Sequence, residues 1–241
     1  MLKADEDAAV PGADARAAAL ARTPLFGGLD GPALQRLAAM ARPIAVKTDA
    51  AVFRKGDPSR ALYVIDQGRV KIGATSADGR EIVLNLLGPG AMFGEIALVD
   101  GGGRTADAVA TEPARLLALD RAELIPYLEA NPRLMLHMLV VMAQRVRWVA
   151  SSLEDAAFLS LPARAAKRLL LLGEQFGLDT PAGLRLTVSL PQHEMARHLG
   201  VTRESVNRLF QDWMAQGLIV IDRRVIVLAD LPRLGEIAAA G

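Results

Sequence analysis

The 241-residue sequence contains no cysteine. That excludes disulfides, thiolate-held iron–sulfur clusters and cysteine nucleophiles by count. Histidine is almost as scarce, with only His137, His193 and His198. The last two lie five apart, whereas neighbours on one helical face lie three or four apart, so they make a poor metal site and read as two surface histidines. Aromatics make up 4%, which leaves the cores to Leu, Val, Ile, Ala and Met. No apolar run reaches the roughly 18 residues of a membrane span, because charges or glycines interrupt every candidate. The opening MLKADEDAAVPGADARAAAL carries acids where a secretory signal needs a continuous apolar stretch. A cytoplasmic protein without a membrane partner is expected. Charge imbalance is lacking too: the formal net charge is +1, too small to announce or refute a nucleic-acid partner. No spacing suggests a nucleophile–base or carboxylate pair, so an enzyme is not expected.

What is present is enough apolar content for two folded domains and a change of period along the chain. Residues 1–22, Ala- and Asp-rich with Pro11 and Gly12, read as a flexible arm with room for a short helix. Leu25, Phe26, Leu29, Leu34, Leu37 and Met40 suggest short helices broken by glycines. Then come strand-like pieces at Val52-Phe53, Ala61 to Ile65, Arg69 to Ala74, Glu81 to Leu87, Thr105 to Ala110 and Arg115 to Asp120. Glycine turns separate them, and Asp78-Gly79 is a good hairpin signal. Short strands so spaced predict an antiparallel barrel or β-roll over 23–131.

Near Pro132 the period lengthens from two to about 3.6. Met135, Leu139, Met142, Val146, Val149, Leu153 and Ala156 alternate steps of four and three, predicting a helix over 132–158 with a narrow apolar seam. Such a seam suits a dimer interface, since knobs on one helix need holes on another; the alternative is that this face packs on the barrel. Phe158 to Pro162 marks a hinge, followed by a helix from Arg164 to Phe176 with Ala165, Leu169 and Leu172 inward.

Residues 159–241 then read as a winged helix-turn-helix. Ser189-Leu190-Pro191-Gln192 has the form of a capping box. A short helix runs to Leu199, Gly200 supplies the turn, and Thr202 caps a second helix to about Ala215. Val206, Leu209, Phe210 and Trp213 form its buried face, leaving Arg203, Glu204, Asn207 and Arg208 outward. In a helix-turn-helix the second helix enters the major groove of double-stranded DNA. There arginine can present paired donors to guanine and glutamate can accept from cytosine N4. Glu204 and Arg208, four apart, can also brace each other as an ion pair. A hairpin after Gly217, turning at Asp222 to Arg224, forms a wing in which Arg223 and Arg224 would hold phosphate.

Between Gly88 and Ala106 the chain reads GPGAMFGEIALVDGGGRTA. Glycines permit close backbone approach, Arg104 and Thr105 can clamp a phosphate, and Glu95 can accept from a sugar hydroxyl. The same residues also allow a plain Glu95–Arg104 ion pair closing a loop. From about Leu25 to Leu228 the sequence resembles the cyclic-AMP receptor and fumarate–nitrate reduction (Crp-Fnr) superfamily of bacterial transcription regulators. FGEIAL with RTA looks like its phosphate-binding cassette, and TRESVNRL like the recognition helix of the cyclic-AMP branch, which reads a TGTGA-type half-site.

The resemblance implies an α+β chain: a cupin-like β-roll, a long dimerisation helix and a C-terminal winged helix-turn-helix. It implies an allosteric effector, cyclic AMP or cyclic GMP, with no tightly bound cofactor. Phe93, Gly94, Glu95, Ile96 and Ala97 would line its site, and Arg104 and Thr105 would meet its phosphate. The homodimer would bind palindromic DNA, with RNA polymerase a further candidate partner. One departure concerns the base. The cyclic-AMP receptor places adjacent Thr and Ser on its dimer helix, where this chain has Val149 and Ala150, with Ser151 and Ser152 just beyond. The purine is then held apolarly, or Val149 and Ser152 meet it through an altered register, or the effector is another nucleotide. The oxygen-sensing iron–sulfur branch is excluded by the missing cysteines, and a haem sensor is disfavoured by a β-roll without histidine.

Overall fold

A computed structural model describes residues 11–76, 78–222 and 224–240. The chain divides into two compact units, Met1–Arg147 and Trp148–Gly241. The first opens with helices α1 (Ala13–Ala21) and α2 (Gly31–Met40). From residue 11 onward the expected flexible arm is replaced by structure, because Ala19 and Leu20 are fully buried in one cluster with Leu25, Phe26 and Leu37. Alanine favours helix, and these inward residues give α1 a docking face. Residues 1–10 lie outside the described residues. Asp30 caps α2 by accepting from the Ala33 amide at 2.8 Å.

Two antiparallel four-stranded sheets follow. One runs β1 (Arg42–Val46), β8 (Ala114–Asp120), β3 (Ala61–Gln67), β6 (Met92–Phe93). The other runs β2 (Ala51–Phe53), β7 (Asp107–Ala110), β4 (Val70–Thr75), β5 (Glu81–Leu87). Their inner faces share a core that includes Ile44, Ile65, Val70, Phe93, Ala108 and Leu116. β1, absent from the sequence expectation, contains Pro43; proline is tolerated there because β1 is an edge strand. β7 begins at Asp107, two residues later than expected, which leaves Arg104 and Thr105 outside the ladder. Gly68 cannot be replaced cheaply: its φ is 78° and a Cβ would stand 2.5 Å from the Pro113 carbonyl oxygen.

Helices α3 (Glu95–Asp100) and α4 (Arg121–Glu129) flank β7 and β8 in sequence, and α5 (Pro132–Phe158) is the long helix. Two stripes of α5 behave differently. Leu134, Met138 and Val141 are buried in the core of the first unit. The neighbouring seam stands in solvent in the single chain, with Leu139 64%, Val146 68%, Val149 57% and Leu153 69% exposed. Of the remaining seam residues Met142 is half-buried, and Met135 and Ala156 are exposed. A helix that already buries one stripe and keeps a second apolar stripe open has a surface left for a partner.

The second unit contains α6 (Leu161–Phe176), β9 (Gly177–Thr180), β10 (Gly183–Leu186), α7 (Gln192–Leu199), α8 (Arg203–Ala215), β11 (Ile219–Asp222), β12 (Val225–Leu228) and α9 (Leu231–Ala239). Its sheet has the order β11-β12-β10-β9. The β9–β10 hairpin and α9 were not anticipated; their four-residue strands are too short to show a period. Ser160 caps α6 through the Ala163 amide. The capping box at Ser189 does not form. Pro191 is the N-cap of α7 with no side-chain bond, because the preceding residues are drawn to the wing, where the Leu190 amide donates to the Arg224 carbonyl at 3.2 Å. No helix among the described residues is long and apolar enough to cross a membrane.

Candidate functional site

The cassette is built around a buried cation. Arg104 is 3% exposed; its Nη1 donates to the Gly94 carbonyl at 2.9 Å and its Nη2 to the Ala61 carbonyl at 2.7 Å. The guanidinium lies 4.2 Å over the Phe53 ring, and Phe53, Tyr63 and Phe93 pack on one another beneath it. Its Nε is buried and has no hydrogen-bond partner. Burial lowers the Arg104 pKa, and the neighbouring Tyr63, Glu95 and Asp57 partly offset that. Arginine nevertheless stays charged, so this segment holds a buried positive charge whose demand for an acceptor is incompletely met. Gly94 makes this packing possible: it sits at φ 84°, and a Cβ there would collide with Arg104 Nη1.

Glu95 does not pair with Arg104. Its carboxylate, 5% exposed, accepts from Arg145 Nε of α5 at 2.8 Å, and Arg145 Nη2 also donates to the Met92 carbonyl at 3.0 Å. A carboxylate offers about four lone-pair sites, so Glu95 Oε2 is left able to accept from a hydroxyl. Sequence reasoning missed Arg145; the only signal was a cation beside the seam, and nothing local ties it to a residue 50 positions away. Of the other expected cassette residues, Phe93 and Ala97 are buried in its floor, while Ile96 and Thr105 are exposed.

Val149 and Ser152 fall in the second unit. The Ser152 hydroxyl donates to the Trp148 carbonyl one turn back in α5 at 2.8 Å, so its proton is already committed. Beyond it, Asp155 accepts from Lys167 of α6 at 2.6 Å, an ion pair that ties the two helices across the hinge.

In the helix-turn-helix, Gly200 adopts φ 66° between α7 and α8. Thr202 Oγ1 accepts from the Ser205 amide at 3.2 Å, as expected of the cap. Val206, Leu209, Phe210 and Trp213 are buried and Arg203, Glu204, Asn207 and Arg208 are exposed, so α8 presents a polar face on an apolar base. The described residues contain no Glu204–Arg208 ion pair. The Glu204 carboxylate instead turns to its own backbone amide, then to the Thr202 hydroxyl and Arg203, which lower its pKa. Asn207 Oδ1 accepts from Gln192 Nε2 at 3.0 Å, linking the polar face of α8 to the start of α7. Arg224 is exposed in the wing turn at φ 75°; Arg223 lies outside the described residues.

His198 differs from the expected surface histidine. It is half-buried, with Nδ1 2.8 Å from Arg168 Nη2. A guanidinium can only donate, so Nδ1 is the acceptor in this contact. Burial lowers the Arg168 pKa to about 10, which leaves it charged at neutral pH.

Comparison with known proteins agrees with both halves. Residues 43–131 match the cyclic nucleotide-binding domain and residues 163–237 the Crp-like helix-turn-helix domain. A CRP-like cAMP-activated global transcriptional regulator of Mycobacterium tuberculosis is 35% identical over 217 residues, covering 90% of this chain and 97% of that protein. The cyclic AMP receptor protein of Thermus thermophilus is 33% identical, covering 78% of this chain and 83% of that protein. Among solved structures, the c-di-GMP responsive global regulator CLP of Xanthomonas campestris superposes with a TM-score of 0.72 at 25% identity, covering 83% of this chain and all (100%) of that one. With a cyclic-nucleotide-binding fold at one end and a Crp-like helix-turn-helix at the other, this chain belongs to the Crp-Fnr superfamily of bacterial transcription regulators.

Proposed function

We propose that the protein is a homodimeric, sequence-specific DNA-binding regulator whose affinity for a TGTGA-like palindrome is raised by a cyclic nucleotide. The observation that carries the effector assignment is Arg104, a buried guanidinium with a donor to spare and an incompletely compensated charge. A cyclic phosphate supplies what it lacks, with Thr105 as second donor. Gly94 and Ala97 let the ribose approach, and Glu95, braced by Arg145, accepts from its hydroxyl. The seam from Met135 to Ala156 joins two copies, and the effector shifts the balance between dimer states only to the extent that it binds the DNA-competent one more tightly.

Adenine is less well provided for than phosphate. Val149 and Ala150 carry no side-chain hydrogen-bonding group, and the Ser152 proton is engaged within its own helix. A second reading therefore keeps the phosphate site but assigns another nucleotide base; the Xanthomonas regulator, described as responsive to c-di-GMP, answers to such a ligand. The deciding experiment is a titration of the purified protein with cyclic AMP and cyclic GMP, read by binding to a labelled TGTGA-containing palindrome. Enhancement by either supports the cyclic-nucleotide reading. No enhancement by either refutes it.

On the DNA side, Arg203→Ala and Arg208→Ala are each expected to cost about 1–3 kcal/mol on the cognate palindrome and to relax sequence preference. Arg224→Ala, at the wing, is expected to weaken cognate and random duplexes alike and to flatten the salt dependence. Competition binding on both duplexes separates the two effects; equal losses on both for all three variants would refute base reading by α8.

A further inference from the structure

We propose that Arg121 anchors the cassette helix α3 and thereby sets effector affinity without contacting the effector, an inference that rests on the effector reading above. α3 has six residues and no side-chain cap at its start. A helix that short leaves nearly all its terminal amides and carbonyls without intrahelical partners, so its position depends on outside support. Two guanidiniums provide it. Arg104 holds the start through the Gly94 carbonyl at 2.9 Å. Arg121, the first residue of α4, holds the end, its Nε donating to the Leu98 carbonyl at 2.8 Å. Arg121 Nη2 lies alongside Gly101, 3.5 Å from where a Cβ would stand.

Both arginines are tied to the same stretch of chain at the start of β3. The Arg121 amide donates to the Arg60 carbonyl at 2.8 Å, and Arg104 Nη2 to the Ala61 carbonyl at 2.7 Å. Both ends of α3 are thus held against one strand start. The positive charge at its C-terminal end also complements the partial negative charge of the free carbonyls there.

The two anchors fare differently when an anion binds. A phosphate that takes the unpartnered Nε of Arg104 makes the anchor at the start of α3 part of the anion site itself. The Arg121–Leu98 contact shares no donor with the phosphate, so it remains. Without it the helix end frays, and binding must order Glu95 and the neighbouring backbone at the expense of affinity.

The test uses the full-length protein with two substitutions. R121M keeps the aliphatic length and removes the N–H donors; R121K keeps the charge and a donor. Cyclic-AMP affinity is measured by calorimetry well below each variant's unfolding temperature, and amide hydrogen exchange of residues 94–101 is followed without effector. R121M is expected to bind about tenfold more weakly and to exchange its α3 amides about tenfold faster, with R121K recovering most of both. A residue that merely stabilises the fold would lower the melting temperature and leave affinity unmoved, so unchanged affinity in R121M overturns the proposal. If wild type binds neither cyclic AMP nor cyclic GMP, the effector reading fails on its own account. The anchor is then decided by exchange: faster exchange in R121M upholds it, and unchanged exchange overturns it.

Discussion

Arg104→Ala is expected to abolish cyclic-nucleotide binding and to destabilise the β-roll by about 3 kcal/mol. The second effect separates this residue from an ordinary ligand contact. Removing the guanidinium takes its donor from the Ala61 carbonyl and leaves the Gly94 carbonyl with the Leu98 amide alone, and a buried acceptor left unmatched costs about 1–3 kcal/mol. The stacking on Phe53 is lost as well. Against this, the desolvation cost of burying a positive charge disappears, which keeps the net loss below the sum of the parts. Arg104→Lys restores charge but not the fork that spans two carbonyls, so it is expected to recover stability partly and binding poorly. Calorimetry with cyclic AMP and denaturant unfolding of the same preparations check both halves. Unchanged nucleotide affinity in Arg104→Ala would remove the phosphate assignment.

The Leu139→Glu, Leu153→Glu double variant is expected to raise the dimer dissociation constant by about 10³-fold or more. Both leucines are about two-thirds exposed in the single chain, so glutamate there costs a monomer almost nothing. In a two-fold interface each change counts twice and sets carboxylates against apolar surface or against one another. Circular dichroism should therefore show an intact fold while sedimentation velocity shows single chains, and affinity for the palindrome should fall toward that of a half-site. The contrast lies on the adjacent stripe: Leu134, Met138 and Val141 are core residues of the first unit, and polar changes there would damage folding itself. A double variant that stays dimeric at micromolar concentration would rule out this seam as the interface.

Much of the architecture was legible because it is encoded over short distances. The change from period two to 3.6 near Pro132 located the long helix, and its seam was read residue by residue. Gly200 and Thr202 announced the turn and cap of α8 because positive φ and an N-cap oxygen are demands on single positions. GEIAL followed by RTA stood out for its glycine and arginine, and Gly94 and Arg104 do pack together, since close approach calls for particular residue types. Errors arose where two local signals competed. Ser189 and Gln192 have capping-box spacing, yet the backbone between them is bound to the wing, and Pro191 starts the helix instead. In the N-terminal arm a short helix was allowed for, and α1 is one, but its packing was missed because alanine shows no apolar contrast, although Ala19 and Leu20 are buried.

By itself, then, the order of residues determined most element types, the break between α5 and α6 and the polar face of α8, since each depends on neighbours within one or two turns. Only the tertiary structure decided the pairings. Glu95 went to Arg145 rather than Arg104, Arg104 to two backbone carbonyls, His198 to Arg168, and the end of α3 to Arg121. A charged side chain can reach many partners, and which one it takes follows from how strands and helices distant in sequence are brought together and how much water is left between them.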